Sequence, residues 1–452
     1  MLSAQDNETL CRVGPGTMMG ELMRQYWVPV LLSTELPSPD SAPMRLRLLG
    51  EDLIAFRVTS GNPGIVVNAC PHRGASLFFG RNEEEGLRCV YHGWKFDVDG
   101  NCVDMPSEPS ESNFKSKVRV RAYPCQERNG IIWTYMGPLA TPPPLPELEA
   151  NLVPENESSI RKRVQESNYM QALEGDIDTI HAGFLHYGHV PIENTTPGSC
   201  YYYTLREKTA KFVVADNEIG ATYGAYRTAE ADTDYWRIAH FLFPFYTMNP
   251  SDLLGQRIAV FAWVPIDDEN TMTWAIQVTG NRDPNGTGIG GLVRGAQSLR
   301  GPLSASEILP PSPAGMLPDT SGWNGRFRPR YNIGNDFLID RQVQAAMATY
   351  SGVPADGQDP MAQVSMGTIY DRTHEHLGVT DAMIIRSRRR LLDAAKALAQ
   401  NGTVPPGVED PSLYRIRSGG AVLPKGVDGL AVTQDAIHGR SMTVEIPIAV
   451  QR

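Results

Sequence analysis

The stretch from Cys70 to His92 reads C-P-H-R-G-A-S-L-F-F-G-R-N-E-E-E-G-L-R-C-V-Y-H and contains two short pairs of cysteine and histidine. Sixteen residues separate Cys70-x-His72 from Cys89-x-x-His92, so we expect the two pairs at the tips of neighbouring loops. Tetrahedral zinc accepts two cysteines and two histidines, but zinc fingers commonly place both cysteines in one pair. Mixed pairs instead suit a [2Fe-2S] cluster in which two histidines replace two cysteines on one iron.

These two loops also resemble a known family. Cys-Pro-His-Arg-Gly at 70–74 and Cys-x-Tyr-His-Gly-Trp-Lys-Phe at 89–96 are similar to the ligand motifs of Rieske proteins. The resemblance implies that the two cysteines and two histidines hold a Rieske cluster, with a structural zinc knuckle as the alternative. Neutral imidazole ligands add less negative charge than thiolates, so such a cluster has a higher reduction potential than an all-cysteine cluster.

The bulk properties agree with a cytoplasmic iron protein. A chain of 452 residues is too long for one core and suggests two or three domains. The net charge of −10 gives no basic field for nucleic acid, and no apolar run approaches the ~20 residues of a membrane span. The first residues lack the pattern of an export signal. Cys11, Cys102, Cys125 and Cys200 have no paired spacing and are expected to be reduced thiols.

The pattern along the chain predicts an α+β protein. A helix is expected within 17–27, and short alternating strands punctuated by glycine, asparagine and proline extend from Met44 to about Gly137. The run T-P-P-P-L-P-E-L-E at 141–149 cannot continue a strand, because proline lacks the amide donor. The predicted divisions are an N-terminal helical segment (1–43), a Rieske domain (44–140), a linker (141–150), a catalytic domain (151–420) and a tail (421–452).

A second informative stretch is N-Y-M-Q-A-L-E-G-D-I-D-T-I-H-A-G-F-L-H at 168–186. Its beginning has apolar residues spaced by four, which predicts a helix. Asp178 and His181 are three apart and share one side of that helix. His186 lies roughly 140° away from His181 on an ideal helix. The two histidines can therefore bind one ion only if the helix ends or bulges between them, and Gly183 is a plausible place.

In a chain with Rieske loops, D-x-x-H-x4-H resembles the mononuclear iron site of Rieske non-haem iron oxygenases. The resemblance implies that His181 and His186 bind Fe(II) together with one carboxylate, which leaves positions open for oxygen and substrate. In the family this carboxylate comes downstream near the start of a helix, and N-D-F-L-I-D-R-Q-V-Q-A-A-M at 335–347 is similar to that segment. We choose Asp336, with Asp340 and Asp359 as alternatives.

The resemblance also implies a role for Asp178. In these oxygenases a carboxylate just before the first iron histidine contacts that histidine and a Rieske histidine of the neighbouring subunit. Here Asp178 would therefore connect His181 with the His92 of another chain. A carboxylate that accepts an imidazole N–H fixes the tautomer of the ring and raises its basicity. The alternative is that Asp178 only makes the helix more soluble.

The resemblance implies that the rest of the chain forms a helix-grip catalytic domain, an antiparallel sheet flanked by helices. Residues 200–276, which begin C-Y-Y-Y-T-L, have strand-like sequence, and 281–330 is a long irregular insertion expected to cover the site. An amphipathic helix is expected from Thr380 to the Asn-Gly at 401–402. Its basic run Arg386 to Arg390 predicts a solvated face or a docking surface.

The segments at 10–27 and 76–100, with Y-D-R-T-H-E-H-L-G at 370–378, are similar to phthalate 4,5-dioxygenase oxygenase components and their O-demethylase relatives. This resemblance implies one [2Fe-2S] cluster and one Fe(II) per chain, a homotrimer or a pair of trimers, and electrons from NAD(P)H through a flavin and iron-sulfur reductase. The implied reaction uses O2 to dihydroxylate an aromatic carboxylate.

Two other functions remain open, namely O-demethylation of a methoxylated aromatic acid and electron transfer without catalysis. Arg206, Arg227 and Arg237 are the candidates for binding the substrate carboxylate, because guanidinium presents a bidentate fork.

Overall fold

The computed structural model describes residues 2–195, 197–250, 253–255, 257–279 and 315–440. Among these residues no helix is both long and apolar enough to cross a membrane. Cys11, Cys102, Cys125 and Cys200 form no disulfide bonds among the described residues, as expected for reduced cysteines. The first thirty-four positions of the predicted insertion, from 281 to 314, lie outside the described residues.

The chain begins with two short helices, α1 (Ala4–Cys11) and α2 (Met18–Arg24). Ser3 and Thr17 cap them, since each side chain accepts a backbone N–H from the first turn. Helix α2 confirms the helix predicted within 17–27. The predicted helical segment 1–43 is only partly helical, because its apolar W-V-P-V-L-L run forms a strand.

Small antiparallel sheets follow, in the orders β1-β11-β10, β2-β3-β4-β9 and β5-β6-β7-β8. Their strands are β1 (Trp27–Leu32), β2 (Met44–Leu48), β3 (Glu51–Arg57), β4 (Pro63–Val67), β5 (Arg81–Glu83), β6 (Gly86–Arg88), β7 (Lys95–Phe96), β8 (Cys102–Asp104), β9 (Ala122–Tyr123), β10 (Cys125–Arg128) and β11 (Ile131–Tyr135). The alternating sequence from Met44 onwards therefore forms the predicted small β structure. A separate apolar core that includes Cys70, Cys89, Trp94 and Phe96 lies beneath the two motif loops.

A larger antiparallel sheet has the strand order β12-β18-β17-β16-β15-β14-β13, and β19 also pairs with β15. Its strands are β12 (Ser158–Gln165), β13 (Lys211–Asn217), β14 (Gly220–Thr228), β15 (Thr233–Leu242), β16 (Tyr246–Met248), β17 (Ala259–Pro265), β18 (Thr271–Val278) and β19 (Gly419–Pro424). The predicted boundary between 420 and 421 falls inside β19, so that division does not follow the sheet. Outside β19, the predicted domain boundaries stay predictions.

Among the described residues, this part of the chain also contains seven α-helices, and two of them flank the candidate site. They are α3 (Tyr169–Ile177), α4 (Cys200–Arg206), α5 (Arg341–Ala345), α6 (Gln358–Val364), α7 (Ala382–Asn401), α8 (Gly429–Val432) and α9 (Gln434–Ile437). Helix α3 packs on β16 and β17 and also on α6, while α7 packs on β14. Helix α7 ends at Gly402 in the left-handed conformation, as the Asn-Gly signal predicted.

Two expectations about these elements were wrong. The segment C-Y-Y-Y-T-L forms helix α4 and not a strand, because the Ser199 side chain caps its N-terminus by accepting from Tyr202 N. The basic run of α7 is not a uniformly solvated face, since Arg388 is 4% exposed and contacts Glu174 and Glu375. A buried arginine needs such partners, so Arg388 belongs to the interior of the protein.

The described end of the predicted insertion lies against the small sheets. The Arg45 guanidinium donates to the Ser321 carbonyl (2.9 Å) and lies 5.7 Å from the Trp323 ring. Trp323 also packs on the core beneath the motif loops. The expectation that the insertion 281–330 covers the catalytic site stays a prediction, since residues 281–314 are outside the described part of the chain.

Candidate metal centres

The two Cys/His loops share one backbone design. Cys70 follows β4 and Cys89 follows β6, and each cysteine carbonyl accepts from a glycine N–H, Gly74 in one loop and Gly93 in the other (both 2.9 Å). Both glycines have positive φ, +77° and +80°. Each cysteine N–H donates in turn to the backbone carbonyl of the residue after the glycine, which is Ala75 in one loop and Trp94 in the other (both 2.8 Å). These glycines are needed because L side chains rarely adopt this conformation.

The loops bring the four candidate ligands together at their tips. The His72 and His92 ring centroids are 4.4 Å apart, while Cys70 and Cys89 are each 2% exposed. His72 Nδ1 is buried and has no hydrogen-bond partner among the described residues. A buried ring nitrogen without a partner is costly unless another group binds it. Two free thiols and this unpaired nitrogen fit the donor set of a Rieske cluster.

Burial changes the proton affinity of these ligands. Burial, with a smaller contribution from the neighbouring Cys89, raises the pKa of the Cys70 thiol to about 11. Burial, together with His72 and Arg73, lowers the pKa of His92 and so favours the neutral imidazole that a metal requires. The Trp94 ring stacks on His72 at 4.3 Å and holds that imidazole in place.

The second stretch folds differently from the expectation. Helix α3 ends at Ile177, before both histidines, and not near Gly183. Asp178 is its C-cap, so Asp178 and His181 do not share a helical face. His181 begins a 3-10 turn that reverses the chain, and the two Nε2 atoms of His181 and His186 come to 3.1 Å.

Asp359 is the carboxylate that the structure brings to these histidines. Its Oδ1 lies 3.5 Å from His181 Nε2 and 3.2 Å from His186 Nε2. The three side chains offer metal-binding atoms within 4.8 Å of one another. Two imidazoles and one carboxylate are the donors of a facial triad for Fe(II). Asp359 lies in the first turn of α6 and not in the loop that the sequence suggested.

The preferred third ligand, Asp336, is not brought to the histidines. It is exposed, and its backbone has a φ of +50°. The next two residues, Phe337 (+54°) and Leu338 (+57°), also have positive φ. The short 3-10 segment Ile333–Leu338 is interrupted there, because this left-handed run cannot continue as a right-handed helix. Asp340 instead caps α5 by accepting from two backbone N–H groups. The structure thus replaces Asp336 with Asp359 as the carboxylate beside the histidines.

Charges within this cluster support one another. Burial alone would raise the pKa of Asp359, but its hydrogen bond to His186 and the two histidines hold the pKa at about 2. Burial opposes the charged form of His181, yet Asp178 and Asp359 raise its pKa. Burial likewise opposes the charged form of Asp178, and contact with His181 lowers its pKa. The carboxylates are therefore anionic at neutral pH and suited to a cation.

Each histidine has a different partner behind it. His181 Nδ1 lies 3.4 Å from Asp178 Oδ2, and the other Asp178 oxygen accepts from Ile180 N (2.8 Å). His186 Nδ1 lies 2.7 Å from Gln358 Oε1. Such outer partners orient metal-binding histidines. Gln358 was missed by sequence reasoning, and its position directly before Asp359 was the signal that could have found it.

The three candidate arginines occupy different environments. Arg206 is exposed at the end of α4, and its guanidinium donates to the Thr228 and Ala229 carbonyls. Arg237 Nε donates to Thr179 Oγ1 (2.7 Å), one residue after Asp178. Arg227 is 2% exposed, and its three guanidinium nitrogens have no hydrogen-bond partner among the described residues.

Arg227 and Arg237 lie on one face of the large sheet. Arg227 is opposite Tyr235 in the β14–β15 register, and Arg237 is two residues further along, so the two arginines are diagonal neighbours. Burial and the positive charge of Arg237 lower the pKa of Arg227 to about 10. A buried, unpaired guanidinium beside a second one is unfavourable unless an anion joins them.

A further ionic cluster, which sequence reasoning also missed, supports helix α3. Glu174 accepts from both Arg372 and Arg388, and Arg388 also contacts Glu375. The Glu174 carbonyl accepts from Asp178 N (3.1 Å), which ties this cluster to the end of α3. Arg372 and Glu375 belong to Y-D-R-T-H-E-H-L-G, so that motif serves to hold the helix before the histidines.

Comparisons with known proteins agree with this arrangement. The family model described as Rieske [2Fe-2S] domain matches residues 26–124, and the model described as LigXa C-terminal domain like matches residues 134–287 and 320–446. The 3-chlorobenzoate-3,4-dioxygenase oxygenase subunit of Comamonas testosteroni is 44% identical over 97% of this chain and 99% of the relative.

Two further relatives and one solved structure extend the comparison. The phthalate 4,5-dioxygenase oxygenase subunit of Pseudomonas putida is 36% identical over 95% of this chain and 94% of its own length. The 5,5'-dehydrodivanillate O-demethylase oxygenase subunit of Sphingobium sp. (strain NBRC 103272 / SYK-6) is 31% identical over 92% and 85%. The solved structure of a mutant NdmA of Pseudomonas putida CBB5 with theobromine has a TM-score of 0.52 and covers 87% of this chain and 97% of NdmA. The two sequences are 16% identical, so this likeness shows the fold alone.

Proposed function

We propose that this chain, which belongs to the Rieske non-haem iron oxygenase family, is a terminal oxygenase component that dihydroxylates an aromatic carboxylate. The observation that carries the proposal is the approach of two histidines and one carboxylate within 4.8 Å in a chain that also has Rieske loops. A protein that only transferred electrons would not need this second cluster of donors.

In the proposal, Cys70, His72, Cys89 and His92 hold the [2Fe-2S] cluster. Its support is the matching turn in both loops and the unpaired, buried His72 Nδ1. The cluster supplies single electrons when bound. Burial favours the neutral form of His92, and the stacked Trp94 ring orients His72.

His181, His186 and Asp359 are proposed to hold the mononuclear iron. Iron in such a site activates O2 when it is bound by two histidines and one carboxylate. The side chains are partly exposed, Asp359 by 39% and His181 by 26%, so oxygen and substrate can reach the proposed iron site. Asp178 and Gln358 orient the two imidazoles from behind.

Arg227 and Arg237 are proposed to bind the carboxylate of the substrate. A buried guanidinium without a partner has lost its hydration, and a carboxylate restores both charge balance and hydrogen bonds. Arg237 contacts Thr179, one residue from Asp178, so an acid held between the two arginines lies near the iron ligands. Arg206 is not part of the proposed carboxylate site, because its guanidinium already donates to two backbone carbonyls.

Dihydroxylation is favoured over O-demethylation by the relatives. The two at 44% and 36% identity are dioxygenase subunits, whereas the O-demethylase subunit is 31% identical. Electrons would come from NAD(P)H through a separate flavin and iron-sulfur reductase. These partners and the aromatic acid are part of the proposal.

A substrate panel tests the proposed reaction. The protein is supplied with a reductase, NADH and O2, and offered phthalate, 3-chlorobenzoate and 3-methoxybenzoate, with 3-chlorobenzamide as the uncharged control. We expect a cis-dihydrodiol from a carboxylate and little turnover of the amide. Turnover of the amide at the rate of the acid would contradict the role of the arginines, and formaldehyde from the methoxy acid as the main product would favour O-demethylation.

Metal analysis separates the enzyme from a simple electron carrier. We expect three irons per chain, two in the cluster and one at the mononuclear site. Two irons per chain after reconstitution with ferrous iron would support the electron carrier instead.

We also propose that electrons pass between chains of a trimer, from His92 of one chain through Asp178 of the next to His181. Asp178 supports this role because it contacts His181 and is 27% exposed. A His92-defective chain mixed with a His181-defective chain should recover part of the activity once subunits exchange. Verified exchange without recovery would sink the proposed route.

A further inference from the structure

We propose that Gln358 is a positioning residue for the mononuclear centre, because its amide fixes the tautomer of His186. In that tautomer Nδ1 carries the proton and Nε2 presents its lone pair to the metal. This role rests on the proposed function, since it requires His186 to be a metal ligand.

The neighbours of Gln358 decide which way its amide points. The side chain is fully buried, and Nε2 lies 3.3 Å from the Val353 carbonyl. A carbonyl oxygen only accepts hydrogen bonds, so the NH2 end of the amide must face Val353. The oxygen Oε1 then faces His186, 2.7 Å from Nδ1.

This orientation decides the state of the imidazole. An amide oxygen only accepts, so His186 Nδ1 must be the donor and carry the proton. Once the imidazole is neutral, as a metal ligand must be, its single proton lies on Nδ1 and Nε2 presents a lone pair. Nε2 is the atom that lies 3.2 Å from Asp359 Oδ1 and 3.1 Å from His181 Nε2, at the centre of the proposed site.

The two iron histidines therefore have unlike supports. His181 is backed by the Asp178 carboxylate, which places a negative charge behind the ring and increases its basicity as a ligand. His186 is backed by an uncharged amide, which fixes the ring without adding charge. Gln358 and Asp359 are also adjacent in α6. A shift of that helix therefore moves the proposed ligand Asp359 together with the residue that supports His186.

Binding of Co(II) tests this role without turnover. The mononuclear iron is removed from the full protein while the oxidised cluster is kept, and Co(II) affinity is measured with its EPR spectrum. We expect Gln358→Leu to weaken Co(II) binding by about 10 to 100-fold, because His186 loses the acceptor that holds its tautomer. Gln358→Glu keeps an acceptor for His186 and should recover most of the affinity and the parent EPR spectrum.

A matched control separates positioning from packing. Gln165 is another buried glutamine, 3% exposed, whose amide donates to Ser167 and Gln363 and touches no proposed ligand. Gln165→Leu should lower the melting temperature yet leave Co(II) affinity and the EPR spectrum unchanged.

The outcomes also separate this inference from the proposed function. Equal Co(II) affinity in the parent and Gln358→Leu would overturn the role of Gln358 and leave the iron site standing. Equal losses in Gln358→Leu and Gln358→Glu, with altered EPR spectra in both, would also overturn it, because the acceptor would not be what matters. Absence of Co(II) binding in the parent would overturn the proposed site itself.

Discussion

The two candidate metal centres of this chain are built in opposite ways. The Cys/His loops take all four ligands from Cys70 to His92, and each loop is closed by its own cysteine and glycine. The mononuclear centre takes His186 and its support Gln358 from positions 172 apart in the chain. The first centre is therefore a local structure, whereas the second exists only when distant helices pack correctly.

The largest expected effect tests which distant carboxylate completes the second centre. Asp359→Ala should remove the mononuclear iron and lower turnover by more than the ~100-fold typical of losing an outer partner. Metal analysis and the visible spectrum of the cluster measure both centres in one sample. Asp336→Ala is the control and should keep three irons and full activity. Loss of iron in Asp336→Ala, with iron retained in Asp359→Ala, would reverse the assignment.

The next effect tests the packing on which the second centre depends. Glu174→Gln leaves Arg372 and Arg388 with less negative charge beside them, so the free energy of unfolding should fall by about 3 to 5 kcal/mol. Denaturant unfolding measures this change. The exposed pair Arg389–Asp393 gives the control, since Asp393→Asn should change stability by less than about 1 kcal/mol.

If the comparison between the centres is right, Glu174→Gln should also weaken mononuclear iron binding before it affects the cluster spectrum. Asp178 N donates to the Glu174 carbonyl, so loosening of α3 reaches the histidines directly. Simultaneous loss of both metals would mean that the cluster loops are not independent of α3.

A smaller effect concerns the substrate side of the second centre. Arg227→Leu removes the unpaired guanidinium and should lower kcat/KM for an aromatic carboxylate by about 10 to 100-fold, the range for one charged hydrogen bond. Arg206→Leu is the matched control and should leave kcat/KM nearly unchanged, because Arg206 binds carbonyls at the surface. An equal loss in both variants would remove Arg227 from the substrate pocket.

The smallest effect is confined to the first centre. His72→Cys should lower the cluster potential by on the order of 100 mV, because a thiolate adds negative charge that imidazole does not. Protein-film voltammetry measures the potential, and metal analysis should still find the mononuclear iron. An unchanged potential would contradict His72 as a ligand.

This contrast explains how much could be predicted from the sequence. The proximity of the two Cys/His loops was predictable because spacing and glycines act within one short segment, and the structure brings the loops together at His72 and His92. The third carboxylate was not, because the choice between Asp336 and Asp359 depends on how α6 packs against α3. A local helix-start pattern favoured Asp336, but three successive residues there have positive φ.

The supports of the second centre were also beyond local patterns. The basic run of α7 suggested a surface, yet Arg388 finds Glu174 in a helix 214 positions earlier. Arg388 lies three and four positions before the buried Leu391 and Leu392, so helical spacing places it on the inner face of α7, whereas Arg389 is 73% exposed. The spacing does not identify Glu174 as the partner of Arg388. Burial of a charged side chain depends on the tertiary partner and not on the run in which it occurs.

The matching cysteine-to-glycine turns have a consequence for biogenesis. Because backbone bonds close both loops, we expect the apoprotein to hold its four ligands near one another before any iron arrives. A preassembled cluster delivered by a scaffold protein would then require only that two loop tips part, without refolding of the sheets beneath. Maturation of the first centre would in this way precede, and not depend on, loading of the second.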